Sequence, residues 1–129
     1  MTSYEKVKSY LLELGYEVQS ENLEEEIIVT HHPEAGISKL ILDCEEPILI
    51  IEAPLFRPPH LNEETLTTLL CMNREIVHGA LALSEDGMLI FRDTLQLENL
   101  DMNELEGSIE SLELMLAENT DFFIQLSKS

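Results

Sequence analysis

The chain has 129 residues, 44% of them hydrophobic, which fits one folded domain spanning residues 1–129 with a substantial core. Its 26 Asp and Glu residues outnumber the seven Lys and Arg. The resulting formal net charge of −19 argues against nucleic acid or an anionic membrane as a partner, because both attract cationic side chains. A neutral or basic protein partner remains compatible, although acidity also keeps a protein soluble without serving any partner.

The N-terminal part of the chain predicts one helix followed by an antiparallel meander. The helix covers residues 3–14, with Ser3 as its N-cap and Gly15 at its left-handed end. Apolar and β-branched segments separated by short turns follow, and connections this short make neighbouring strands antiparallel. The strands are expected at 26–31, 37–43 and 47–53, after a shorter alternating segment at 16–19.

A second helix is predicted from about Asn62, whose side chain can cap it. Asn73 falls on the apolar stripe of this helix, so its amide should be buried. A buried amide without a partner costs about 1–3 kcal/mol, and we therefore expect Asn73 to clamp a nearby strand or loop by hydrogen bonds. The rest of the stripe comprises Leu66, Leu69, Leu70, Ile76 and Val77.

The stretch HGALALSEDGMLIFRD at 78–93 predicts a β-hairpin. Its strands, at 80–84 and 88–92, flank a turn in which Gly87 can adopt a positive φ. Ala80 and Ala82 share one face of the first strand and leave room for close packing. The packing partner is either a helix of the same chain or another molecule.

The C-terminal part predicts a capped helix with an acidic outer face. Asp101 and Glu104 form a capping box at its start. Small residues in its middle would let another backbone approach, and two aromatic residues near the chain end are expected in the core or at a surface. Together with the hairpin alanines, these residues form the candidate partner or dimer surface: Ala80, Ala82, Gly107, Ser108, Phe122 and Phe123.

Motifs that carry catalysis are absent from the sequence: there is no G-x-S-x-G, glycine-rich phosphate loop, H-E-x-x-H or C-x-x-C. We therefore predict no catalytic residue, no cofactor and no metal. The two cysteines, Cys44 and Cys71, do not make a disulfide framework and favour a reduced, cytoplasmic setting. An enzyme would need a site assembled from scattered polar residues such as His60, Arg74, His78 and Arg92.

The predicted order is helix, three or four strands, helix, two strands and helix. It gives an α+β fold with a twisted antiparallel sheet of about five strands and helices packed on it. With the segment 69–116, this order resembles the type III secretion chaperone-like fold, and within it the YbjN and Tir-chaperone-like family. The residues that carry the resemblance are Asn73 at a helix end, the small-residue strand 79–83, the Asp86-Gly87 turn and LQLENLD at 95–101.

The resemblance implies a small acidic cytosolic protein, usually a homodimer, that binds another polypeptide without catalysis. The first hypothesis is thus a non-enzymatic, chaperone-like module that holds a segment of a partner polypeptide. The alternative is a regulatory adaptor in bacterial sensory transduction that binds a folded partner, and an enzyme is the third hypothesis.

Overall fold

The computed structural model describes residues 1–128, which form an α+β fold of one antiparallel sheet and four helices. The sheet has six strands, one more than the predicted number of about five. The sequence predicted three or four strands before the second helix, and the structure has four. The segment after the long C-terminal helix forms a further short helix. In chain order the elements are α1 Ser3–Glu13, β1 Glu17–Asn22, β2 Ile27–His32, β3 Ile37–Glu45, β4 Ile48–Phe56, α2 Glu63–Met72, β5 Ala80–Leu83, β6 Leu89–Gln96, α3 Met102–Glu118 and α4 Thr120–Lys128.

The strands lie in the order β1-β2-β3-β4-β6-β5, and every neighbouring pair is antiparallel. The first four strands form the expected meander. The chain then leaves the sheet through α2 and returns as the β5–β6 hairpin, whose second strand pairs with β4. The two edge strands are therefore β1 and β5.

Burial alternates along the strands, so the sheet has a covered face and an open face. Along β2 and β4, half-buried residues alternate with buried ones. The buried strand residues join the buried residues of all four helices in one core. We call the opposite side of the sheet the outer face. Within residues 1–128, no helix is long and apolar enough to cross a bilayer.

The structure confirms two of the three helix caps that were predicted from the sequence. The Asn62 side chain accepts a hydrogen bond from the backbone N–H of Thr65, and Asp101 with Glu104 forms the predicted capping box, so both caps are confirmed. The predicted cap Ser3 is wrong. Thr2 caps α1 instead, in a reciprocal box with the residue three positions on, and Ser3 is the first helical residue.

The apolar stripe predicted on the second helix is largely exposed. Only Leu69 is buried, at 5% exposure, whereas Leu70 is 70% exposed. The helix ends at Met72, so residues beyond it no longer follow the helical phase, and Val77 is 73% exposed. The expected five-residue core stripe is wrong, because periodicity shows that a face is apolar but does not show what covers it.

Hydrogen bonds from side chains tie the helices to the sheet. The Ser111 hydroxyl of α3 donates to the backbone oxygen of His78 and accepts from its N–H, at 2.8 and 3.0 Å. One turn earlier, the Ser108 hydroxyl donates to the Asp93 carboxylate of β6 at 2.8 Å. These links hold the segment before β5 and the middle of β6 against α3.

The glycine before β5 is required by both its backbone and its surroundings. Gly79 has a φ of +80°, and a Cβ added there would lie 2.5 Å from Cζ of Phe91 and 3.0 Å from the backbone oxygen of Arg92. Phe91 is fully buried and has no room to retreat. The chain can enter β5 this close to β6 only without a side chain.

Gly79→Ala should lower the free energy of unfolding by about 3 kcal/mol, from left-handed strain plus overpacking against Phe91. Gly87→Ala is the matched control, because its φ is +86° but nothing lies within 4 Å of an added Cβ. The control should lose only about 1 kcal/mol. Urea unfolding of the two variants measures both changes, and equal losses would contradict the close approach to Phe91.

Candidate functional site

An apolar groove lies between α2 and the edge strand β5, and we call it the α2–β5 groove. Its volume is about 250 Å³. Leu70 on its rim is 70% exposed, and Leu66 and Leu83 are 38% and 39% exposed. The lining residues carry no charge, and only one of them is polar: Leu66, Leu69, Leu70, Asn73, Leu81, Ala82, Leu83 and Leu89.

Asn73 holds the two walls of this groove together. Its Nδ2 donates to the backbone oxygen of Leu81 at 3.2 Å, and its Oδ1 accepts from the Leu81 N–H at 2.7 Å. Asn73 is half-buried at the end of α2, not buried as predicted, but its contacts with Leu81 are the expected clamp on a strand. Because β5 is an edge strand, the amide also satisfies two edge groups that another chain could otherwise pair with.

The outer face of the sheet is a second apolar surface. Its apolar side chains come from five strands and are half-buried, although the core lies on the other side of the sheet. An apolar sheet face left open to water is a feature of binding surfaces. The residues that form it are Ile27, Val29, Ile41, Ile48, Ile50, Pro54, Ala80, Ala82 and Ile90.

A carboxylate lies in the middle of this apolar face. Asp43 of β3 pairs in register with Ile27 of β2 on one side and Ile50 of β4 on the other. Its Oδ1 is buried and accepts no hydrogen bond within residues 1–128. Burial raises the pKa of Asp43 above its usual value, and the charge of the Glu45 carboxylate and a side-chain hydrogen bond with Glu45 raise it further.

The predicted surface residues divide between half-buried and fully buried positions. Ala80 and Ala82 are half-buried on the outer face at its β5 edge, where they pair with Arg92 and Ile90. Ser108, in contrast, is only 1% exposed and serves as an internal link to β6.

The other three predicted surface residues contact their own chain. An added Cβ at Gly107 would lie 3.6 Å from Cδ2 of His78, which is an ordinary contact distance. Phe123 is buried, with ring centroids 5.9 Å from Phe56 and 5.7 Å from the half-buried Phe122.

Polar residues considered for an enzyme site lie on different parts of the fold. Arg92 is on the outer face, where it forms an ion pair with Glu52 at 2.7 Å. The His78 ring lies near Gly107 on the helical side of the sheet. His60 and Arg74 are exposed in the segments before and after α2. The structure therefore does not bring these four side chains to one cleft.

In the part of the chain that the structure describes, the cysteine and acidic side chains form neither a metal site nor an activated nucleophile. Within the described chain, no three His, Cys, Asp or Glu side chains are grouped so that they could hold a metal ion. Cys71 is exposed, whereas Cys44 is buried. Burial, followed by the nearby carboxylates, raises the pKa of Cys44 to about 11, which keeps this thiol protonated and unreactive at neutral pH.

Sequence comparison identifies the family. The model of the CesT_Tir_1 family matches residues 1–129. The chain belongs to this family of type III chaperones. No curated protein matches the sequence. Membership of the CesT_Tir_1 family agrees with the resemblance noted from Asn73, the small-residue strand and the Asp-Gly turn.

Solved structures of low sequence identity share the fold. YbjN from E. coli matches with a TM-score of 0.66 and 13% identity over 92% of both chains. The HopA1–SchA chaperone–effector complex matches with a TM-score of 0.64 and 14% identity, over 98% of this chain and 94% of that one. The heterodimeric ExoU–SpcU complex from the type III secretion system of Pseudomonas aeruginosa gives a TM-score of 0.65 and 18% identity, over 87% and 93%.

Asp43→Asn should raise the free energy of unfolding at neutral pH. Because its pKa is raised in the folded protein, the ionised carboxylate is less favourable there than in the unfolded chain. This penalty is present above the folded-state pKa and is absent below the unfolded-state pKa, where the carboxyl is neutral in both states. The advantage of the variant should therefore disappear on acidification.

Urea unfolding at neutral pH and well below the usual Asp pKa measures this change. Glu13→Gln, at an exposed acid on α1, is the control for the loss of one negative charge from an acidic chain. A variant at Asp43 that gains no more stability than the control would contradict the desolvation of this carboxylate.

Proposed function

We propose that this protein is a non-enzymatic, chaperone-like binding protein that holds a segment of a partner polypeptide and acts as a homodimer. The observation that carries the proposal is the pair of apolar surfaces, the α2–β5 groove and the outer face, that the fold leaves uncovered. Membership of a type III chaperone family supports it, and the structural neighbours include a chaperone bound to its effector. Since both cysteines are free, the proposal includes a cytoplasmic location.

The α2–β5 groove is suited to contact with a second copy. An isologous dimer interface brings the same residues of both copies together, so it must avoid like charges. The groove lining has no charged residue, although the chain carries a net charge of −19. Exposed leucines at its rim, Leu66 and Leu70 on α2 and Leu83 on β5, could each fill the groove of the partner.

A regulatory adaptor is the alternative, and the likeness to YbjN favours it. An adaptor would use the same surfaces to bind a folded domain. The two functions differ in what competes for the site. Unstructured segments should displace the client of a chaperone but should not displace the folded partner of an adaptor.

Leu70→Glu should dissociate the homodimer, weakening self-association by about tenfold or more, because a charge would be buried in the apolar groove of the partner copy. Sedimentation equilibrium of wild type and variant measures the effect. Leu23→Glu is the matched control, since Leu23 is 72% exposed and lies in the turn between β1 and β2. Ala82→Leu, at a residue shared by the groove lining and the outer face, should weaken self-association as well.

Two results would contradict the homodimer. A wild-type protein that sediments as a monomer at micromolar concentration would do so directly. Equal dimerisation of the Leu70 and Leu23 variants would show that any dimer forms through another surface.

Binding of unstructured segments is expected as well. An array of peptides covering candidate partner proteins should retain the wild-type protein at particular unstructured segments, and free peptide should release it. Retention only by intact folded domains would favour the adaptor and would contradict the chaperone-like function.

A further inference from the structure

We propose that the outer face of the sheet binds an amphipathic helix of the partner, and that the apolar side of this helix carries a Lys or Arg that pairs with Asp43. This inference rests on the proposed function, since it names the segment that the protein would hold. It adds the binding face and the chemistry of the client.

The first argument concerns the backbone of the client. The outer face belongs to strands whose N–H and C=O groups are already used in the sheet ladders. A segment that lies on this face therefore receives apolar contacts and no main-chain hydrogen bonds from it. A helix satisfies its own backbone groups and can desolvate one side at little cost, which favours a helix over an extended strand.

The second argument is charge complementarity. The carboxylates that act on Asp43 are those of Glu45, Glu25 and Glu52. Of the two cations on these outer strand positions, Arg92 is paired with Glu52. The other, Lys39, is four residues from Asp43 along β3, or roughly 13 Å.

A second copy of this chain is consequently a poor occupant. Its own outer face would bring a matching group of carboxylates against Asp43, and like charges in an apolar contact are costly. A cationic helix has the opposite sign. Its Lys or Arg would supply the hydrogen-bond donor that the buried Oδ1 of Asp43 lacks within residues 1–128.

The third argument is spacing. Ile27 and Ile50 lie on the strands on either side of Asp43, so they are two strand spacings, or about 9.6 Å, apart. Residues seven positions apart in a helix are about 10.5 Å apart along its axis. A helix that crosses these strands with apolar residues at i and i+7 and a cation between them matches the Ile27–Asp43–Ile50 row.

The test uses a fluorescent helix-forming peptide of about 18 residues with leucines along one side and a single lysine in the middle of that side. Two further peptides replace this lysine by norleucine or by glutamate. Fluorescence anisotropy measures the affinity of each peptide for the wild type, for Asp43→Asn and for the control Glu13→Gln. All three proteins have intact grooves between α2 and β5.

The lysine peptide should bind the wild type and the control equally, and Asp43→Asn about fivefold or more weakly. The glutamate peptide should bind the wild type worst. The norleucine peptide should bind Asp43→Asn at least as well as the wild type. Since the same substitution is expected to stabilise the fold, weaker binding by this variant cannot be attributed to unfolding.

Equal affinity of the lysine peptide for wild type and Asp43→Asn would overturn the inference, as would no binding of this peptide at all. Neither result bears on the proposed function, which the array of partner segments tests separately. If that array retains wild type and Asp43→Asn equally well, the partner does not use Asp43, and the inference fails while the proposed function stands.

Discussion

The sheet is covered by helices on one face only, and the other properties of the molecule follow from this arrangement. Alternate residues of each strand point to opposite faces, so one set of side chains forms the core with the buried residues of all four helices. The second set faces outward. In an ordinary two-layer protein this second set is polar, whereas here it is rich in isoleucine. The chain thus carries more apolar surface than its own fold buries.

Specific contacts hold the β5 edge of the sheet in place, whereas the outer face of the sheet is left open. Asn73 satisfies the backbone groups of Leu81 on the β5 edge, and Gly79 lets the chain enter β5 against Phe91. This corner of the fold is therefore fixed by a clamp and by a close approach. The α2–β5 groove beside it has an uncharged lining, which is compatible with the proposed symmetric contact between copies.

The two apolar surfaces differ in charge. The groove lacks charge, whereas the outer face contains Asp43 within reach of three other carboxylates. A surface that combines isoleucine with uncompensated acid attracts a basic apolar segment and repels a copy of itself. A destabilising group of this kind is common where a protein binds a partner.

Local sequence signals predicted most of the elements, although not the final helix α4. Two of three helix caps, the hairpin with Gly87 and the meander strands could be predicted, because each depends on residues within a few positions of one another. The family resemblance also came from local features, namely Asn73, the small-residue strand and the Asp-Gly turn.

Only the tertiary structure decided which apolar faces are buried. The stripe on α2 has the periodicity of a core helix, yet Leu70 and Val77 are exposed, and Ser108, expected at a surface, lies inside the fold. No local pattern in the sequence distinguishes Asp43 from the other acidic residues among the 26. Its position between Ile27 and Ile50 arises from strand register across the sheet. Periodicity is a property of one segment, whereas burial depends on what other segments bring against it.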